Sequence, residues 1–264
     1  MASRHSFLYA LVGFVLLNSS IASGASHMLH WQKPSYLLKA FTEVALRNEY
    51  SFGSDVVRRW EKPIHIWIDH QVGDKGLHTD LVNMHIKHLA ALTQHPIKLT
   101  SSAKDANFTI VFTQQKDWKR QVGKLFGSKA ESAVHGAVCM ASFSINGRSE
   151  IVSAGVIIPV DQARMHGKLV ACIVEEITQV MGLPNDSEAV YPSIFNDKTP
   201  EDLLSGLDGL LLKMLYSPEV KSGMSEAGVK PVLEKLLKQW QKNGTIKSAN
   251  SDVKSGELYP LLGY

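Results

Sequence analysis

The stretch ACIVEEITQVMGLPND, residues 171–186, decides how the chain is interpreted. Three of its apolar residues recur at helical spacing and are expected to face a core: Ile173, Ile177 and Val180. Gly182 and Pro184 then end the helix, because glycine supplies a left-handed cap and proline cannot continue the helical hydrogen bonds. The pattern therefore predicts a long helix over residues 166–181.

The polar side of this helix carries two adjacent acids, Glu175 and Glu176. Glu175 and Gln179 are four residues apart, so their side chains are expected to meet on one face. Burying two acids on a helix costs free energy unless they are paired with other groups or serve a function. We interpret them as part of a functional site; a solvated polar face is the alternative.

The helix resembles the active-site helix of zincin-type zinc peptidases, whose pattern is H-E-x-x-H, extended in metzincins to H-E-x-x-H-x-x-G-x-x-H. Glu176 stands at the position of the general base, and Gly182 at that of the glycine. The three metal-ligand positions hold Glu175, Gln179 and Asn185 instead of histidine. The resemblance implies a zincin-like fold, and the order of the predicted elements itself indicates an α+β domain: a mixed sheet with helices on one side, followed by a C-terminal helical lobe.

A closer resemblance is to a family of bacterial secreted proteins of unknown function. Its core reads E-E-x-T-Q-x-x-G-L-x-N-D, and residues 175–186 satisfy every fixed position. The resemblance extends over about residues 36–240. It includes Cys139, Cys172 and the segment Ile194-Phe195-Asn196-Asp197. It implies a fold and an exported location, and no particular activity.

The replaced ligands determine the expected metal chemistry. Zinc prefers imidazole and thiolate, whereas Glu175, Gln179 and Asn185 offer only oxygen atoms. We therefore predict no bound zinc and no metal ligands; a cation that prefers oxygen, such as calcium, is the alternative.

Three functions are compatible with this site. The favoured function is binding of a peptide, glycan or envelope protein, without a metal, in the cleft that corresponds to the active site of zincins. The second is hydrolysis without zinc, in which Glu176 is the general base. The third is binding of an oxygen-ligated cation. We expect Glu176 to face a cleft between the two lobes, and Glu175 to pair with Gln179 near Asn185 and Asp186.

The first 25 residues have the pattern of a signal peptide. An apolar run, Phe7–Leu17, precedes the small residues SSIASGAS, with cleavage expected after Ala22 or Ala25. A membrane anchor is the alternative, but 11 residues are too few for ~30 Å of hydrocarbon. No later stretch has the ~18 apolar residues of a membrane span. The mature chain is therefore expected in the periplasm or secreted.

Composition narrows the class of protein further. The 264 residues are 44% hydrophobic, which excludes a disordered chain, and a net charge of +3 without a basic stripe argues against nucleic-acid binding. The two cysteines, Cys139 and Cys172, are predicted to form a disulfide, because two cysteines in an exported protein are usually bonded to each other. A cysteine nucleophile with His135 or His166 as its base is the alternative.

Local patterns place the remaining elements along one domain of two lobes, residues 26–240. They predict helices over 35–48, 79–93, 199–216 and 225–240, strands over 64–69 and 108–113, and a hairpin over 137–160 that turns at Asn146-Gly147. Residues 114–132 are ambiguous. The tail, residues 241–264, is polar and expected to be loose, although its last six residues, YPLLGY, could dock.

Histidines offer a second set of candidate ligands. His85 and His88 are three residues apart on one predicted helix, and His78 precedes them. Such spacing can hold a metal, but on an amphipathic helix a structural role is favoured. His65 and His70 flank a strand and are interpreted as residues on a face of the sheet.

Overall fold

A computed structural model describes residues 29–47, 55–134, 136–198 and 201–264. The predicted signal peptide and His135 lie outside the described residues. The strands are β1 (Arg59–Trp60), β2 (Ile64–His70), β3 (Ile97–Leu99), β4 (Phe108–Thr113), β5 (Met140–Ile145) and β6 (Glu150–Pro159). The helices are α1 (Pro34–Phe41), α2 (Lys75–Thr93), α3 (Gln115–Phe126), α4 (Val160–Met165), α5 (Leu169–Gln179), α6 (Gly206–Leu215), α7 (Glu226–Asn243), α8 (Thr245–Lys254) and α9 (Leu258–Leu261).

The six strands form one mixed sheet, in the order β1-β6-β4-β2-β3, with β5 also paired to β6. All neighbours are parallel except β5, which runs antiparallel to β6. The β5–β6 hairpin is closed by a hydrogen bond from the Asn146 amide to the Glu150 carbonyl oxygen, 3.0 Å long. The predicted α+β class and the Asn146-Gly147 turn are both confirmed.

The sheet has helices on both faces, so the expectation that helices cover only one face is wrong. Ile110 and Phe112 of β4 enter the main core, whereas Val111 between them belongs to a second cluster. That cluster includes Trp118 and Val122 of α3, a helix in the segment that sequence patterns left ambiguous. Alternating side chains of one strand point to opposite faces, so α3 covers the face opposite the main core.

The C-terminal tail is folded, so the prediction of a loose tail is wrong. Ile246, Ala249 and Val253 of α8 are buried in the main core. Gly209 of α6 permits this packing, because a Cβ atom there would lie 2.5 Å from Val253 Cγ1. Residues 246, 249 and 253 follow helical spacing, so the signal was present in a segment that polar composition made look loose.

Two predicted helices have different limits. The one expected over 166–181 is α5 alone; α4 is a separate helix, and Gly167 between them has a positive φ of 67°. The one expected from residue 199 begins at Gly206, where Ser205 and Asp208 form a reciprocal capping box. Among the described residues, no helix has both the length and the apolar character needed to cross a membrane.

Candidate functional site

The disulfide fixes the position of α5 beneath the edge hairpin. Cys172 in the first turns of α5 is bonded to Cys139, just before β5, with the two Cα atoms 5.9 Å apart. The predicted disulfide is confirmed, and the alternative of a cysteine nucleophile is excluded because both thiols are bonded. Glu176 follows Cys172 by one helical turn and therefore lies on the same side of α5. Its side chain is buried, at 6% exposure, and its role as a general base stays a prediction.

Three carboxylates converge at the C-terminal end of α5. Glu175, Asp186 and Asp197 each place one oxygen within 4.8 Å of the others. Gln179 joins them, because its Nε2 donates to both carboxylate oxygens of Asp186, at 3.1 and 3.2 Å. Asp186 therefore lies beside both Glu175 and Gln179, and the expected pairing of Glu175 with Gln179 stays a prediction.

Asp197 is the member that sequence reasoning did not assign to the site. Its signal was its place in the Ile194-Phe195-Asn196-Asp197 segment of the family resemblance. The three oxygen donors have the chemistry that a hard cation such as calcium prefers. They are the residues of this region that could hold a metal.

Asn185 lies elsewhere than expected. Its Nδ2 donates to the Glu43 carbonyl oxygen at 3.0 Å, and its backbone amide to the Val44 carbonyl oxygen at 3.2 Å. Gly182 directs the chain there through a positive φ of 114°, where a Cβ atom would lie 2.1 Å from the Arg58 carbonyl oxygen. The side chain of Asn185 therefore anchors the chain to the short π-helix Thr42–Leu46 that follows α1, and does not return to Gln179.

Residues 185–197, which we call the covering segment, are held by two distant helices. From α1, the Tyr36 hydroxyl accepts a hydrogen bond from the Tyr191 amide at 2.8 Å. From α6, Asp208 accepts from the Ser193 hydroxyl at 2.5 Å and from the Ile194 amide at 3.2 Å. These contacts determine where Asp186 and Asp197, near the two ends of the segment, meet Glu175.

Asp208 itself is fully buried within α6. Burial raises the pKa of its carboxyl to about 6, although hydrogen bonds from Ser193, Ser205 and Ile194 oppose the shift. The Ser205 amide donates to it at 2.7 Å, which ties the start of α6 to the covering segment through one carboxylate.

The histidines of α2 are structural in this arrangement. His85 Nε2 lies 3.0 Å from the Thr178 hydroxyl, so it joins α2 to α5. Burial lowers the pKa of His85 to about 3, with a smaller contribution from His88, and lowers the pKa of His88 to about 4. Within the part of the chain that the structure describes, no histidine belongs to a group of potential metal ligands.

The fold and site define a class of protein: an α+β domain whose antiparallel edge strand is tied by a disulfide to a helix bearing two acids. The family model described as "Protein of unknown function (DUF2927)" matches residues 34–235, and the chain belongs to this family. The predicted membership of a family of unknown function is confirmed at that level. Neither the curated proteins nor the solved structures contain a significant match.

Proposed function

We propose that this chain is an exported, zincin-like protein that binds an extended peptide and has no zinc chemistry. The proposal rests on one observation: at two of the three positions where zincins bind zinc, the side chain is hydrogen-bonded to another part of the same chain. The Gln179 amide is bonded to Asp186, and the Asn185 amide to the Glu43 carbonyl oxygen. Neither amide is a good zinc ligand; the first bond holds the covering segment against α5, and the second holds it against the residues that follow α1.

The edge strand β5 is the element that favours a peptide over a glycan. Within the described residues, β5 pairs only with β6, so its second edge offers backbone donors and acceptors to an added strand. Ser142 and Ser144 are exposed, and Ile145 is 45% exposed. The disulfide next to β5 holds this edge in place before a ligand arrives, which lowers the entropy lost on binding. An extended segment of an envelope protein is a peptide ligand of this kind.

The experiment combines retention with product analysis. The mature chain is immobilised and exposed to peptides from a tryptic digest of casein, and both retained and free peptides are identified by mass spectrometry. We expect a subset to be retained intact and to slow hydrogen exchange in β5. Glu176→Gln should retain the same peptides, because it keeps the side-chain shape and removes only the base.

Two results would overturn the proposal. One is a failure of the chain to retain any peptide. The other is the appearance of cleavage products with the wild-type chain that are absent with Glu176→Gln. The second result would establish the hydrolase instead.

A second candidate function is hydrolysis by Glu176 beside an oxygen-ligated cation, and the carboxylate cluster favours it. Glu175, Asp186 and Asp197 repel one another when all are ionised, and a bound cation would relieve this. The test is metal analysis of protein purified without chelator, with thermal melts in calcium and in EDTA. Calcium should raise the melting temperature of the wild type, and Asp197→Asn should reduce the increase. Equal melting temperatures in calcium and in EDTA would exclude this second function. Stoichiometric zinc would contradict the argument that oxygen ligands at these positions do not bind zinc.

A further inference from the structure

Three stacked rings lie where β2 and β4 end and α2 begins. The His78 ring is 4.4 Å from Phe112, and the His70 ring is 5.7 Å from Phe112, between centroids. His78 is 0% exposed, and neither of its ring nitrogens has a hydrogen-bond partner among the described residues. Buried polar groups are nearly always partnered, so this histidine is an exception that requires a physical account.

The surroundings of His78 favour its neutral form. Burial lowers the pKa of His78, the charges of Arg164 in α4 and His70 in β2 lower it further, and Asp74 opposes them. Asp74 is itself paired with Arg164 at 2.8 Å, which offsets its effect. The positive end of the α2 dipole adds to the same preference, because His78 lies in the first turn of that helix.

His70 has the same preference for a different set of reasons. Its Nδ1 is buried without a partner in the described part of the chain, and its Nε2 lies 3.1 Å from the Thr79 hydroxyl. Burial lowers its pKa, as does Lys75, while Asp69 on the same strand raises it. The two stacked imidazoles also disfavour each other's charge, so the stack is most stable with both rings neutral.

We propose that the His70–His78–Phe112 stack is an acid-sensitive latch, which holds the first turn of α2 against the sheet and opens on protonation before the rest of the domain unfolds. The opening is local because residues 73–77, which lead into the stack, are exposed and have few contacts to lose. The middle of α2 is held separately, through His85 and Thr178 of α5.

The direction of the pH effect follows from the linkage between protonation and folding. Both pKa values are lowered in the folded chain, so the stabilisation by the neutral rings is complete above the unfolded value of about 6.5 and is lost as the pH falls below it. The opened turn carries the protonated imidazoles in water.

Hydrogen exchange of the mature chain at pH 7 and pH 5, corrected for intrinsic chemical exchange, tests the latch. We expect peptides over residues 70–80 to exchange roughly ten-fold faster at pH 5; because pH 5 lies about 1.5 units below the unfolded pKa, one histidine can contribute at most about 30-fold. Peptides over α6 should not change. His78→Phe should keep the stack of rings and reduce the acceleration to the part contributed by His70, whereas His166→Gln, at an exposed position, should leave it intact.

Two outcomes would overturn the latch: equal acceleration in His78→Phe and wild type, or no acceleration in the wild type. A second measurement covers a His78→Phe chain that fails to fold at pH 7. The imidazole protons of wild-type His78 are followed by NMR against pH, and a midpoint at or above 6.5 would equally exclude the proposal.

Discussion

The strand β5 and the covering segment, residues 185–197, both flank the acids of α5, but they are fixed in different ways. A single covalent bond, Cys139–Cys172, ties the start of β5 to α5. The covering segment is tied by many weaker bonds, among them those of Tyr36 in α1 and Asp208 in α6. The connection of β5 to α5 therefore rests on one covalent link, in addition to the pairing of β5 with β6, whereas the covering segment depends on a distributed set of bonds.

The energies of the two kinds of link differ accordingly. A disulfide stabilises chiefly by restricting the unfolded chain, whereas each hydrogen bond contributes about 1 kcal/mol because water competes for its partners. The comparison thus predicts a ranking: loss of the disulfide first, the buried Asp208 carboxylate second, and the exposed Tyr36 hydroxyl last.

The largest effect is expected from Cys139→Ala combined with Cys172→Ala. Opening the 33-residue connection should lower the free energy of unfolding by roughly 3–4 kcal/mol in the chain-entropy model. Urea unfolding followed by circular dichroism measures this, and reduced wild-type protein is the matched control. A loss below about 1 kcal/mol would show that other contacts fix β5, and would break the comparison.

Asp208→Asn should have the next largest effect. Asparagine keeps the shape but replaces one acceptor oxygen with a donor, which leaves a buried donor of Ser193, Ile194 or Ser205 without its partner. The expected loss is about 1–3 kcal/mol, with faster hydrogen exchange over the covering segment. The control is Asp252→Asn, whose partly exposed ion pair with Lys213 should contribute less than about 1 kcal/mol. Equal losses in the two variants would contradict a special role for Asp208.

The same variant makes a pH prediction. The pKa of Asp208 is about 6 in the folded chain, above the ordinary 3.8. A raised pKa means that the stabilisation is complete below the unfolded value and is lost as pH rises through the folded one. The stability difference between wild type and Asp208→Asn should therefore be largest near pH 4 and smaller at pH 7. Histidine contributions cancel, because both proteins contain them, and a difference that grows with pH would contradict the assignment.

Local sequence patterns predicted the covalent side of this comparison and missed the distributed side. The two cysteines, the Asn146-Gly147 turn and the acids of α5 can each be recognised from residue types and short sequence patterns. Tyr36 and Tyr191, in contrast, are 155 residues apart, and Asp208 stands among leucines with no local pattern that marks it. Such bonds depend on the packing of α1 and α6, which no local periodicity encodes.

Two further features were missed for different reasons. The covering segment turns Asn185 towards Glu43, because Gly182 packs against the Arg58 carbonyl oxygen, and this contact is long-range. The helix α3 places Trp118, Val122 and Phe126 one turn apart on one face, so the helical stripe was present, but the polar composition of the segment hid it.

Tyr36→Phe should have the smallest effect, and it is the sharpest test of a distributed anchor. The substitution removes the hydroxyl that accepts from the Tyr191 amide and lies 3.0 Å from the Tyr191 carbonyl oxygen, while the ring stays. These bonds are exposed, so water can replace the lost partner, and the expected loss is about 1 kcal/mol or less. Urea unfolding should shift slightly and hydrogen exchange near residue 191 should increase, whereas Tyr264→Phe, at an exposed C-terminal ring, should change neither. A loss as large as that of the disulfide variant would mean that one hydroxyl holds the whole covering segment, because only a link without substitutes produces so large an effect.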